Sequence, residues 1–289
     1  MAFLDLDGLR CHVQRMAPLD GRPPAATAVL VHGLLTDSLA SYYFTLAPAL
    51  AQAGVEVVMY DQRGHGRSGR PSTGYRLEQY LDDLELLLDR LQLTTPVHLL
   101  GNSFGGTVAF GLAGRRPEQV LSILAIESEP ASPAWAAKMD RLLRFAEAQL
   151  AREESLAWVA RQRGAHQARL ARSAGRLLAG TSLARELPAS RVLSEAEIGA
   201  IGCPVQAVYG ADSDLAEQAD WLASLLPSSS TTFVRGQEHS VLVEAPDQVR
   251  GLALSWLREN DAGLRGPVAG RRGVPTVGLR SAQPLGSAR

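Results

Sequence analysis

Residues 97–110 read Val-His-Leu-Leu-Gly-Asn-Ser-Phe-Gly-Gly-Thr-Val-Ala-Phe, and this stretch decides the fold. The apolar residues before Gly101 are typical of a buried strand, and those after Gly106 continue as a helix. Between strand and helix lies Gly-x-Ser-x-Gly, a turn so sharp that side chains larger than glycine would collide around Ser103. Such a turn presents the serine hydroxyl at a helix N-terminus, where free N–H groups favour a developing anion. The pattern predicts a nucleophile at Ser103.

On both sides of this turn, strand-like and helical segments alternate. The alternation predicts an α/β fold, with a mostly parallel sheet and helices on both of its faces. Further strands are expected at 27–31, 55–60, 120–126, 204–209 and 231–234, with helices over 38–53, 77–93, 215–226 and 249–258.

The alternation stops between residues 130 and 200, where the sequence is helical and contains no strand-like run. A helical insertion between strands of one sheet must pack on something already built, so we interpret 130–200 as a lid. The core is then predicted to comprise 1–129 and 201–259. Residues 260–289 are rich in Gly, Pro, Arg and Ser without periodicity, which predicts a disordered tail.

The composition and charge of the chain give no sign of a nucleic-acid-binding, membrane-spanning or secreted protein. The chain has 289 residues, of which 46% are hydrophobic, and a formal net charge of −1. A balanced charge gives no electrostatic reason to expect a nucleic acid or an anionic membrane as partner. No apolar run is long enough for a membrane span, and the N-terminus lacks a signal-peptide pattern. We therefore expect a cytoplasmic protein, a monomer or a homodimer.

A serine nucleophile needs a base, because a neutral hydroxyl is a poor nucleophile. Chain order selects among the six histidines. His98 lies inside the strand that leads to Ser103, which is typical of a core histidine, and His65 lies in a Gly-His-Gly turn of structural type. His239 follows the last predicted strand and precedes the last predicted helix. It is the predicted base.

An acid must orient the imidazole and stabilise its charged form. The segment Tyr-Gly-Ala-Asp-Ser-Asp-Leu at 209–215 leaves a buried strand and contains two candidates. We favour Asp214, although it directly precedes a helix and is also a possible N-cap. Asp212 is the alternative, with Asp214 then acting as the cap. Glu127, at the end of the strand after Ser103, is a third candidate.

Charge on a substrate carbonyl oxygen needs preformed hydrogen-bond donors. The backbone N–H of Phe104, directly after the nucleophile, is one predicted donor. The second is expected from the loop after His32-Gly33, most simply the backbone N–H of Leu34.

Taken in order, these motifs resemble the α/β-hydrolase superfamily. The resemblance rests on the segments His32-Gly33, 61–68 (Asp-Gln-Arg-Gly-His-Gly-Arg-Ser), 101–106, the turn at 212–214 and His239. It implies an eight-stranded, mostly parallel sheet with a helical cap, and neither a metal nor an organic cofactor. In that family the 61–68 turn is a structural loop, so its residues are not assigned to catalysis.

Three hypotheses for function follow. The first is hydrolysis of a carboxylic ester, thioester or lactone of a small organic molecule through an acyl-enzyme. The second is carbon–carbon bond hydrolysis, because Asn-Ser-Phe-Gly-Gly also resembles meta-cleavage-product hydrolases. The third is a ligand-binding protein without activity on the same fold. A serine at 103 argues against the haloalkane dehalogenases and epoxide hydrolases of this fold, whose nucleophile is an aspartate.

Overall fold

The computed structural model describes residues 2–264 and contains one eight-stranded sheet. The strands are β1 (Ala2–Leu6), β2 (Leu9–Met16), β3 (Ala26–Val31), β4 (Val55–Tyr60), β5 (Val97–Asn102), β6 (Val120–Ile126), β7 (Val205–Gly210) and β8 (Ser229–Val234). Their order across the sheet is β1-β2-β4-β3-β5-β6-β7-β8. The pairs β1–β2 and β2–β4 are antiparallel and the others are parallel, which confirms the predicted fold class.

Helices connect and cover these strands. They are α1 (Ala40–Tyr43), α2 (Ala47–Gln52), α3 (Leu77–Arg90), α4 (Phe104–Arg115), α5 (Pro133–Leu150), α6 (Glu153–Gly180), α7 (Leu183–Glu186), α8 (Glu195–Gly199), α9 (Ala219–Leu225), α10 (Val241–Glu244) and α11 (Pro246–Asn260). Short 3-10 turns lie at Pro117–Gln119, Asp214–Gln218 and Ala262–Leu264.

The central strands are apolar on both faces, as the parallel arrangement requires. In β3, Val29 and Val31 pack on the face covered by α3, α4 and α9, whereas Ala28 and Leu30 pack on the face covered by α1, α2, α10 and α11. Because side chains alternate along a strand, one apolar run supplies two separate cores. These two cores fix the carboxyl ends of β5, β6 and β7 along one edge of the sheet.

Two expectations are corrected in detail. The single helix expected over 38–53 is two short helices, α1 and α2, and the second has Pro48 within its first turn. Proline lacks the N–H that a continuous helix would need at that position, but it suits the start of a new helix. The predicted helix at 215–226 begins as a 3-10 turn before α9.

The region 130–200 is helical, as expected, and α5 packs against α6. Helix α6 is interrupted at Gly164, whose φ is 85°. The predicted tail at 260–289 lies outside the described residues from 265 onward, while 260–264 end α11 and form the last 3-10 turn. Within residues 2–264, no helix has the length and apolar character needed to cross a membrane.

Candidate active site

Ser103 stands alone between β5 and α4 with φ 51° and ψ −121°, a conformation that L-residues rarely adopt. Two glycines permit the turn. A Cβ on Gly101 would lie 2.4 Å from the backbone of Gly106, and a Cβ on Gly105 would lie 1.9 Å from the carbonyl oxygen of Val31. The chain therefore folds this way only with glycine at both positions, and the turn holds Ser103 at the edge of the sheet.

His239 lies in the loop between β8 and α10, and its Nε2 is 3.0 Å from Ser103 Oγ. Its side chain is 52% exposed, so the imidazole is accessible from solvent. The loop packs closely against the end of β7: a Cβ on Gly210 would lie only 2.2 Å from the carbonyl oxygen of Gln237. The pairing of Ser103 with His239 is the one expected from chain order.

The other imidazole nitrogen, His239 Nδ1, lies 3.1 Å from Glu127 Oε2. Glu127 follows β6 directly and is fully buried. Its carboxylate also accepts hydrogen bonds from the backbone N–H of Gly210, on Oε1, and from the Ser213 hydroxyl, 2.6 Å from Oε2. Charge-assisted hydrogen bonds of this kind stabilise a buried carboxylate and fix its orientation.

The carboxylate that faces His239 is therefore neither of the two aspartates favoured from the sequence. Asp212 and Asp214 are exposed, and among the described residues neither side chain forms a hydrogen bond with His239. Between them Ser213 is buried, donates to Glu127 and caps the 3-10 turn by accepting the N–H of Leu215. Because Ser213 turns inward, its two acidic neighbours face solvent. The signal that identifies Glu127 is a carboxylate directly after the strand that pairs with β5.

The loop after β3 packs directly against the nucleophile, since a Cβ on Gly33 would lie 3.3 Å from Ser103 Cβ. Asp37 Oδ2 joins the two segments. It accepts the Gly33 N–H at 2.6 Å and the Asn102 side-chain amide at 3.1 Å. Leu34, the expected second donor, therefore lies in a loop tied to the Ser103 turn. Phe104, the other expected donor, is the first residue of α4, where backbone N–H groups lack helical partners.

Aromatic side chains pack beneath the nucleophile. Phe104 makes an edge contact with Tyr80, with ring centroids 4.8 Å apart, and stacks on Trp135, with centroids 6.5 Å apart. Trp135 is a buried packing residue at the start of α5, whereas Trp158 in α6 is exposed. Through the contact between Phe104 and Trp135, the helical region 130–200 packs against the turn that contains Ser103.

An ion pair lies close to the carboxylate of Glu127. Lys138 of α5 pairs with Glu129, which is buried in the segment after β6, two residues beyond Glu127. Burial lowers the pKa of Lys138, while the negative charge of Asp214 opposes that shift. The pair neutralises a second buried carboxylate beside Glu127 and links α5 to the sheet.

Within residues 2–264, no group of three or more His, Cys, Asp or Glu side chains is arranged to hold a metal ion.

Comparison with known proteins supports the fold. Residues 28–156 match the family described as alpha/beta hydrolase fold. A proline iminopeptidase from Lactobacillus delbrueckii subsp. bulgaricus is 31% identical over 125 residues, which are 42% of this chain and 42% of that protein. The chain thus matches less than half the length of these curated relatives.

Solved structures extend the likeness over most of the chain. Est816, described as an N-acyl homoserine lactone degrading enzyme, superposes with a TM-score of 0.67 at 22% identity, over 88% of this chain and 100% of that one. A carboxylesterase structure from Nitrososphaera gargenis superposes with a TM-score of 0.68 at 20% identity, over 89% and 98%. At these identities the likeness shows the fold. The chain has the α/β-hydrolase fold, and relatives that match part of it are named as hydrolases.

Proposed function

We propose that this α/β-hydrolase cleaves a carboxylic ester, thioester or lactone of a small organic molecule through an acyl-enzyme. The observation that carries the proposal is the hydrogen-bonded series Ser103 Oγ, His239 and Glu127, with links of 3.0 and 3.1 Å. A hydroxyl within reach of an imidazole, itself oriented by a carboxylate, is the arrangement that activates a serine nucleophile.

The proposed steps conserve atoms and charge. Ser103 Oγ bonds to the substrate carbonyl carbon while His239 Nε2 takes the hydroxyl proton, and the carbonyl oxygen becomes an oxyanion. The oxyanion then re-forms the carbonyl as the bond to the leaving oxygen or sulfur breaks and His239 returns the proton to that atom. Water attacks the acyl carbon while His239 takes one of its protons. The bond from Ser103 Oγ to the acyl carbon then breaks as His239 returns the proton to Oγ, and the acid product leaves. Glu127 stabilises the imidazolium in both halves of the reaction.

The oxyanion is proposed to bind the backbone N–H groups of Leu34 and Phe104. Support comes from the contact of Gly33 with Ser103 and from the position of Phe104 at the start of α4. Backbone donors held in place before the reaction stabilise the transition state more than the ground state.

The substrate class rests on the surroundings of the serine. An apolar acyl portion is in keeping with the buried aromatic packing of Tyr80, Phe104 and Trp135 behind the Ser103 turn. We also propose that 130–200 acts as a lid, supported by the contact of Trp135 with Phe104. The cytoplasmic location and the monomeric or homodimeric state stay predictions.

A substrate panel tests the proposal. Purified wild type and Ser103→Ala are assayed with p-nitrophenyl acyl esters, acyl thioesters and N-acyl lactones. A prolyl anilide covers the activity named for the matched relatives, and a vinylogous dienol acid covers carbon–carbon hydrolysis. We expect turnover of esters, thioesters or lactones that disappears in Ser103→Ala. Faster turnover of the anilide or the dienol acid contradicts the substrate class, and equal turnover by the variant contradicts the nucleophile.

A further inference from the structure

Leu35 has φ 63°, in the left-handed region that a branched side chain seldom occupies. Its backbone N–H donates to Nε2 of His65, 2.9 Å away. The loop beside the nucleophile is thus bent into an unfavourable conformation and held there by a side chain from the turn at 61–68. The sequence alone assigned that turn a structural role.

The bonds of His65 define its protonation. Its ring is buried, and Nδ1 lies 2.8 Å from the carbonyl oxygen of Arg63, which only accepts. Nδ1 therefore carries the proton, and Nε2 is the acceptor that the Leu35 N–H requires. The ring is neutral with a single tautomer. Burial lowers the pKa of His65 to about 3, so the neutral form persists through the ordinary pH range.

His32 makes the matching pair of bonds. It is fully buried, and its Nε2 lies 3.0 Å from the backbone N–H of Gln62, which only donates. Nδ1 therefore carries the proton and donates it to the carbonyl oxygen of Gly33 at 2.6 Å. The Gln62 side chain in turn donates to the His32 carbonyl oxygen at 2.6 Å. His32 and His65 are thus the same neutral tautomer, with ring centroids 5.3 Å apart.

The two rings act on neighbouring peptide groups. The Gly33 carbonyl and the Leu34 N–H belong to one planar peptide unit, in which they point in opposite directions. His32 fixes that carbonyl and thereby the direction of the Leu34 N–H. The next peptide unit joins Leu34 to Leu35, and His65 fixes it through the Leu35 N–H. Both planes beside the Leu34 Cα are therefore held by buried imidazoles.

We propose that His32 and His65 are positioning residues for the oxyanion donor, orienting the Leu34 N–H toward the substrate by fixing the peptide planes on either side of it. The proposal rests on the serine-hydrolase function proposed above. It explains why the His32-Gly33 segment and the 61–68 turn occur together in this chain. Neither ring contacts the reacting atoms, so their effect is on orientation alone.

The test uses the different reach of asparagine and glutamine. An asparagine amide stands near the place of Nδ1, and a glutamine amide near the place of Nε2. At 32 the essential contact is Nδ1 to Gly33, so His32→Asn should keep it and His32→Gln should lose it. At 65 the essential contact is Nε2 to Leu35, so His65→Gln should keep it and His65→Asn should lose it. The two positions therefore predict opposite orders.

Three readouts follow each variant. We expect kcat on an activated ester to fall about 10- to 100-fold in His32→Gln and His65→Asn, with KM changed less than about threefold, because a misdirected donor acts mainly on the transition state. Affinity for a trifluoromethyl ketone, which forms a tetrahedral adduct, should fall in parallel. Deuterium exchange of peptides covering 33–39 should accelerate in these two variants and much less in the rescuing pair.

His98→Asn is the matched control, because His98 is also a buried, hydrogen-bonded histidine but contacts Ser122 and Asp261, away from the loop. It should lower the unfolding temperature without the effect on kcat. Equal kcat, ketone affinity and exchange in folded His32→Gln and His65→Asn would overturn the proposal. If wild type lacks activity on every substrate, the proposed function fails, and the exchange measurement still decides whether the two rings hold the loop.

Discussion

The carboxylate of Glu127 approaches His239 Nδ1 to 3.1 Å from the end of β6, one strand away from the nucleophile in the sheet. Since β5 and β6 are parallel neighbours, the serine and the acid leave the sheet at the same edge, and the histidine reaches both from the loop after β8. The carboxylate that faces the imidazole is therefore a fully buried group.

The first prediction separates the three candidate acids. Glu127→Gln removes the charge facing His239 and leaves an amide that disfavours the required tautomer. We expect kcat on an activated ester to fall about 10³- to 10⁴-fold, as in other serine hydrolases that lose their acid. Asp212→Asn and Asp214→Asn, the matched controls, should stay within about threefold of wild type, as exposed substitutions usually do. A larger loss of kcat in Asp214→Asn than in Glu127→Gln would indicate that Asp214, and not Glu127, is the catalytic acid.

The second prediction concerns the hydroxyl that holds this acid. Ser213→Ala removes the 2.6 Å hydrogen bond to Glu127 Oε2 and leaves the buried carboxylate with a free acceptor site. We expect kcat to fall about tenfold with KM unchanged, which corresponds to about 1.4 kcal/mol for a hydrogen bond to a charged group. Ser213→Thr keeps the hydroxyl and should recover most of the rate.

Ser224→Ala, whose exposed hydroxyl bonds only to the Trp221 carbonyl among the described residues, is the control and should match wild type. Steady-state kinetics on one ester measures all three serine variants. A kcat for Ser213→Ala equal to that of Ser224→Ala would show that the Ser213 hydroxyl does not support Glu127.

The third prediction is a pH dependence of stability from His65. Burial lowers the pKa of His65 from 6.5 to about 3. Below pH 6.5 this imidazole is therefore protonated in the unfolded chain but stays neutral in the folded chain. The free energy of unfolding therefore has its full His65 contribution above pH 6.5 and loses it as pH falls toward 3. This one group changes the free energy by at most about 1.4 kcal/mol per pH unit.

Urea unfolding at pH 7.5 and pH 5 measures this dependence. His65→Gln, which cannot take up the proton, should lose less stability between the two pH values than wild type does. An identical pH dependence in wild type and variant would mean that His65 is protonated equally in the folded and unfolded chains.

The fourth prediction compares two glycines of the same helix. In Gly105→Ala the new methyl group would meet the Val31 carbonyl oxygen at 1.9 Å, whereas a Cβ on Gly114 meets nothing within 4 Å. We expect Gly105→Ala to lose about 3 kcal/mol of unfolding free energy, as overpacking in a rigid core does. Gly114→Ala should gain up to about 1 kcal/mol, because alanine favours a helix over glycine. Equal stability of the two variants, measured by urea unfolding, would contradict the close packing at the nucleophile turn.

Much of the fold follows from the sequence because its strands are apolar on both faces and its turns carry glycine where only glycine fits. The position of Ser103 follows from Gly101 and Gly105, and that of His239 from its place after the last strand. These are local signals, and the structure places both residues as the chain order suggests.

The carboxylate that faces His239 could not be predicted from the sequence, because its identity depends on which side chain of the 212–214 turn points inward. Asp212 and Asp214 flank Ser213, and no pattern in the sequence reveals that the serine is the buried member. Glu127 is buried only because its charge is met by donors from β7 and from His239, which are distant in sequence. The conformation of the loop held by His32 and His65 could not be predicted from the sequence either, because its hydrogen bonds join residues 30 positions apart.

The most direct test of the central claim is the intact mass of the protein after reaction with a fluorophosphonate. An activated serine should gain one phosphonyl group at Ser103, located by peptide mapping, and Ser103→Ala should gain none. Glu127→Gln should react far more slowly than Asp214→Asn. Absence of the adduct in wild type that still hydrolyses an ester, or an adduct of equal yield in Ser103→Ala, would contradict the assignment of Ser103, His239 and Glu127 as the reacting series.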